Sequence, residues 1–238
     1  MKAVNKFVSR VSILMWLVLG ACAAQTPLND GIKLKVGVPS DLPGYEVMAD
    51  GTLKISSPLR QGITDCVEKA MSAKITWIGA PTLRILSQLS SAELDMVYPL
   101  GFTGERGARL LPSKPTWESS DVLVSLQPIS PKSRNLSFTA RLGSPQHTEY
   151  LGDFSTFIPS YSYGNLPKLL ERKVVDVAIL NRNTYQDMKS LWPQGHITTA
   201  GKSRYTGFYL NKADPRHLLE ALNAGIAKCL KSTAQSAQ

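Results

Sequence analysis

Arg106 lies in the run from Asp95 to Trp117, DMVYPLGFTGERGARLLPSKPTW, just past the strand-like apolar segment Met96 to Tyr98 and a short turn containing Gly101 and Thr103. A guanidinium offers five N–H donors in a rigid fork, and two of them grip a carboxylate through parallel bonds. At the end of a strand, where side chains reach a crevice rather than a core, this is anion-binding chemistry. Between Glu105 and Arg109 the same residue also reads as a solvated surface arginine. The surrounding elements decide between the two.

Other polar residues fall at comparable places. Gly143-Ser144-Pro145 opens a predicted helix, whose first turn, with Gln146 and His147, presents free backbone donors to an anion; Ser144 reads equally well as a plain cap. Asn181 ends the apolar run 174–180, and Tyr45 sits in a turn-rich loop, lining a cleft or covering the core edge. Nothing comparable supports catalysis. His147, His196 and His217 lack metal-ligand spacing, and no Gly-x-Ser-x-Gly elbow, Cys-x-x-Cys pair or phosphate-cradling glycine loop occurs. The expectation is a binding protein with no catalytic residues, metal or cofactor.

The elements that must position these residues follow a strand and helix rhythm. Leu34, Val36 and Val38 alternate with Lys33 and Lys35, and a loop is expected from Ser40 to Thr52. Ser57-Pro58 starts a helix with Leu59, Ile63, Cys66, Val67, Ala70 and Met71 on its inner face. A strand with Ile75 and Trp77, a helix through Leu83, Leu86 and Leu89, and a strand from Leu94 to Tyr98 complete a parallel βαβαβ unit. Its crevice lies at the carboxyl ends of the strands, where the loops with Tyr45 and Arg106 meet. Asp121 to Gln127 is a further strand, and the Pro- and Ser-rich segment Pro128 to Asn135 an exposed excursion. A second unit runs from Phe138 to Asn181, with a short helix from Leu166 to Leu170. Tyr205 to Leu210 is the last strand, and Asp214-Pro215 caps a closing helix that carries Leu218, Leu222, Ile226 and Cys229 on one stripe.

The 238 residues, 43% hydrophobic and 19% charged, suit one large domain or two lobes. Residues 1–25 read as an export signal, with Lys2, Lys6 and Arg10 before an apolar stretch from Val11 to Leu19. Leu19-Gly20-Ala21-Cys22 resembles a lipobox that would lipidate Cys22. The small residues around it suit ordinary signal peptidase equally, and the weak fit of Gly20 favours that. Three of the 27 basic residues belong to this signal, so 24 against 18 acidic ones leaves +6. Scattered as they are, they argue against nucleic acid and for at most a mild attraction to anions. Cys66 and Cys229 remain, bonded in an oxidising compartment or separate as buried thiols.

Three segments together resemble the family 3 extracytoplasmic solute-binding proteins of ABC uptake systems, the polar amino-acid type. They are Leu94-Asp95 through Thr103, Arg106 and Pro115; LERKVVDVAI from Leu170 to Ile179; and YTGFYLNKADPRHLLEALN from Tyr205 to Asn223. The resemblance implies a two-lobed α/β fold of periplasmic-binding-protein type II, each lobe a mixed, mostly parallel sheet flanked by helices. Lobe one would comprise 26–122 and 205–238, and lobe two 123–204. It implies a periplasmic monomer that hands a small anion or amino-acid-like solute to an inner-membrane ABC permease. Arg106 would clamp the carboxylate with Thr103 and Gly101 as neighbouring donors, while Ser144, Gln146 and His147 face the ligand from lobe two. Where the family's amino-acid binders carry an acid for the α-ammonium, this chain has Asn181, which favours a carboxylate without an ammonium. A bilobal module that signals to a membrane receptor without transport is the alternative.

Overall fold

A computed structural model describes residues 32–129 and 135–236. The expected signal and Cys22 lie outside these residues, as does 130–134 of the excursion.

Strand β1 (Ile32–Pro39) buries Leu34, Val36 and Val38 and exposes Lys33 and Lys35, as the alternation requires. The expected loop after it instead contains a small hairpin, β2 (Tyr45–Val47) and β3 (Leu53–Ile55). Strands of three residues are too short to show alternation. The turn chemistry is as read: Asp50 accepts from both the backbone and hydroxyl of Thr52, and Gly51 takes the positive φ of 80° that glycine tolerates.

Helix α1 (Pro58–Ala70) follows with Ser57 capping its first turn. Its inner face differs from the expected one, since Leu59 is 59% exposed and Arg60 turns inward beside Ile63, Thr64 and Val67. Strand β4 (Ala73–Ala80) pairs parallel with β1. Helix α2 (Thr82–Ser90) packs through Ile85 and Leu89 and leaves Leu83 outside. Both helices are rotated from the sequence reading because leucine tolerates the surface, and buried Arg60 and Thr82 find polar neighbours at the cleft.

Strand β5 (Met96–Gly101) and the short helix α3 (Gly104–Arg109) lead into β6 (Leu110–Ser125). Beyond the excursion come β7 (Ser137–Arg141), α4 (Pro145–Glu149), β8 (Thr156–Ser160), α5 (Leu166–Glu171), β9 (Val177–Asn181) and α6 (Arg182–Asp187). Strand β10 (Ile197–Asn211) and helix α7 (Leu218–Ser236) close the chain. The eight-stranded sheet has the order β4-β1-β5-β10-β6-β9-β7-β8. Strands β4, β1 and β5 are parallel in one half, and β9, β7 and β8 in the other.

Strands β6 and β10 are much longer than their sequence segments suggested, and they pair antiparallel from Leu110↔Asn211 to Ser125↔Ile197. Register shifts near Gly207 and between Ala200 and Ser203 break the alternation that would have revealed their length. The pair passes through both halves and includes Leu123 and Tyr205. Each half has its own apolar core, one around Trp77, Tyr98 and Phe208, the other around Leu166, Leu180 and Trp192. Asp214 accepts from the backbone N–H of Leu218 and Leu219 at the start of α7. Cys66 of α1 and Cys229 of α7 form a disulfide with Cα atoms 5.8 Å apart.

Candidate functional site

Four strands end at one place. Pro39, Gly101, Arg141 and Asn181 are the last residues of β1, β5, β7 and β9, and all line a cavity of about 70 Å³ between the halves. The carboxyl ends of parallel strands form such a crevice because each chain must turn away there.

Arg106 reaches this cavity from α3. Thr103 caps that helix by accepting from the backbone N–H of Arg106, so the threonine positions the arginine. The guanidinium donates to the carbonyls of Gly101 at 2.8 Å and Gly143 at 2.6 Å, one on each side of the cleft. Among the described residues no carboxylate is bonded to it. Burial pulls its pKa below the usual arginine value, yet a guanidinium stays charged at any physiological pH.

The other three arginines of the wall are neutralised by the protein. Arg60 Nη2 meets both oxygens of Asp187, at 2.6 and 2.7 Å, and Ser56 donates to the same carboxylate. Arg141 binds Asp41 through two bonds, at 2.8 and 2.7 Å. Arg204 binds Asp121 bidentately and Glu149 at 3.1 Å, and Gln146 donates to Asp121 at 2.6 Å. Burial acts to lower the Arg204 pKa, but the bonds from Asp121 and Glu149 outweigh it and hold the group above its ordinary value. The first two pairs cross the cleft. The third ties β10 to β6, the strands that both halves share.

The sequence-predicted residues divide between two places. Tyr45, Gly101, Arg106, Ser144, Gln146 and Asn181 all line the cavity. His147 stacks on Phe157 with ring centres 4.6 Å apart, and with Thr103 it lines an outer groove on the far side of Arg106. The Tyr45 hydroxyl, Ser144 Oγ and Asn181 Nδ2 are buried without a hydrogen-bond partner. Burial, with the neighbouring Tyr98, raises the Tyr45 pKa, and burial pushes Tyr163, also in the wall, up to about 12.

Sequence reasoning missed Arg60, Arg141 and Arg204 together with their carboxylates. A signal existed for two of them. Arg60 shares a helical face with Ile63, Thr64 and Val67, and Arg141 ends the apolar run FTA. Arg204 gave none, because a register shift precedes it.

Neither a family model nor a curated protein matches the sequence. Solved structures do match. A mutant of ArgBP from T. maritima is 15% identical, with 86% of this chain and 92% of that chain covered at a TM-score of 0.68. An amino acid ABC transporter substrate-binding protein, AbpA from Streptococcus pneumoniae, bound to L-arginine, is 18% identical over 84% and 90% of the two chains, at 0.66. A histidine kinase sensor domain with similarity to periplasmic binding proteins is 14% identical over 86% and 93%, at 0.71. The fold is that of a type II periplasmic binding protein. In this fold the cavity occupies the cleft between the lobes, and β6 and β10 are the strands that join them. Identities this low carry the fold and leave the ligand to be argued from the site. Among the described residues no helix is long and apolar enough to cross a membrane, and no group of His, Cys, Asp or Glu could hold a metal.

Proposed function

We propose that the protein is an exported receptor for a small, carboxylate-bearing solute, which it captures between its lobes and presents to an inner-membrane ABC permease. Lobe one would be 26–122 with 205–238, and lobe two 123–204. The observation that carries this reading is Arg106: a cation in the cavity, bonded to one carbonyl from each half and, among the described residues, to no carboxylate. Two bonds leave part of its donor fork for a ligand. A carboxylate seated there is held where both lobes meet, which favours the closed form over the open one. The arginines and high-pKa tyrosines of the wall supply neither nucleophile nor base near neutral pH, which supports binding without turnover.

A second reading, a bilobal sensor that signals to a membrane receptor without transport, is favoured by the two ion pairs that join the halves across the cleft through the protein's own side chains. A thermal-shift screen against mono- and dicarboxylates, amino acids and inorganic anions separates the two. At about 100 times its Kd a ligand adds roughly 2.7 kcal/mol, a rise of several degrees. A rise that is lost in Arg106→Ala supports the receptor. Silence from a folded protein favours the sensor.

A further inference from the structure

We infer that the cleft takes a compact monocarboxylate bearing a neutral oxygen, hydroxyl or carbonyl, and rejects an ammonium, and that Asn181 makes the distinction. This rests on the receptor reading above and narrows its solute.

The placement of charge is the first observation. Among the described residues four arginines line the cavity and no Asp or Glu does. Arg60, Arg141 and Arg204 are bonded to Asp187, Asp41 and the Asp121–Glu149 pair, so four carboxylates stand against four arginines, yet among the described residues none of them touches Arg106, which meets only carbonyls. A carboxylate on a ligand gives Arg106 the direct anionic partner that it lacks. A zwitterion would bring that charge together with an ammonium, placed among guanidinium groups with no carboxylate facing it, and a buried charge without a partner is costly.

The neutral polar atoms make the second observation. Asn181 Oδ1 accepts from the backbone N–H of Asn183 at 3.0 Å, which fixes the orientation of the amide. Its Nδ2 is buried and unpartnered. An amide nitrogen only donates, so it calls for an acceptor, and an ammonium has none to offer. The unpartnered hydroxyls of Tyr45 and Ser144 can donate as well. An oxygen on the ligand satisfies all three groups, whereas an ammonium can use the two hydroxyls as acceptors but leaves Asn181 Nδ2 unmet.

Size is the third. A cavity of about 70 Å³ is small, which favours a compact acid over a long one and makes the three-carbon acids the first probes.

The test compares nearly isosteric probes: lactate, pyruvate, propionate and alanine, titrated into the purified protein by calorimetry and thermal shift. Lactate or pyruvate is expected to bind at least tenfold more tightly than alanine, with propionate weaker for want of the oxygen. Asn181→Asp keeps an equally good helix cap, so it is expected to fold. It should weaken lactate and pyruvate at least tenfold and narrow or reverse the gap to alanine. Alanine binding as tightly as lactate and pyruvate to the native protein would overturn the inference. An unchanged preference in Asn181→Asp would overturn the role of that residue. Binding of larger carboxylates with silence from the whole three-carbon series would also overturn it and leave the receptor reading standing. Silence from every carboxylate defeats both.

Discussion

Arg106 bridges the lobes through two carbonyls, so its replacement acts on binding and on closure at once. Hydrogen bonds to charged groups contribute about 1.5–3 kcal/mol. Arg106→Ala is therefore expected to raise the Kd of a bound carboxylate at least about tenfold by calorimetry, and Arg106→Lys to recover only part of it, because an ammonium cannot form the planar fork. An unaltered Kd in the alanine variant would remove this residue from the site. The tyrosines make a separate prediction. Tyr163 and Tyr45 have folded pKa values above their ordinary 10.0, so both states hold the proton below about pH 10. Between there and about 12 the folded state keeps a proton that the unfolded chain has released. Stability is thus full below pH 10 and falls as pH rises through this window. Denaturant midpoints at stepped alkaline pH should decline across this window, while the tyrosinate absorbance of the folded protein rises later than that of the unfolded chain. A flat profile would contradict the burial.

At the scale of elements, closure depends on contacts between pieces distant in the chain. Arg60 of α1 meets Asp187 at the end of α6, and Asp41 after β1 meets Arg141 at the end of β7. Both pairs are largely buried. Removing one partner strands a charge, at about 3–5 kcal/mol, whereas replacing both with apolar groups of similar volume is often neutral. Asp187→Asn is accordingly expected to shift the lobes toward the open form, visible as a larger radius of gyration in solution scattering. Arg60→Met combined with Asp187→Leu should destabilise closure less than either single change. A radius unchanged in every variant would mean that the pairs do not set the lobe equilibrium. The elements also show where periodicity misleads. Leu59 and Leu83 count toward an apolar stripe in sequence yet face solvent, while Arg60 and Thr82 occupy the inner faces. A periodic pattern ranks residues by polarity, but the neighbouring cleft decides which polar ones it admits.

Across the whole molecule, α7 returns the end of the described chain to the first lobe, where the disulfide fastens it to α1 over a separation of 163 residues. In the chain-entropy account a loop of that length stabilises by about 4–5 kcal/mol. Cys66→Ala with Cys229→Ala should lower the denaturant midpoint by a corresponding amount and leave solute affinity nearly unchanged, since both cysteines lie outside the cleft. An unchanged midpoint would show that the bridge adds nothing. The βαβαβ rhythm, the helix cap at Ser57, the part of Asp214 at the start of α7 and the strand-end placement of Asn181 were legible in the sequence, because period, capping and turn chemistry are local; that Arg106 reaches the cleft from a short helix was not. The lengths of β6 and β10 were not, because bulges interrupt their alternation. Residue order alone determined an α/β chain with an arginine shortly after a strand and two cysteines on helical faces. Only the tertiary structure decided which arginines keep a free charge, because Asp41, Asp121 and Asp187 reach their partners from 83 to 127 positions away, and spacing says nothing about such meetings.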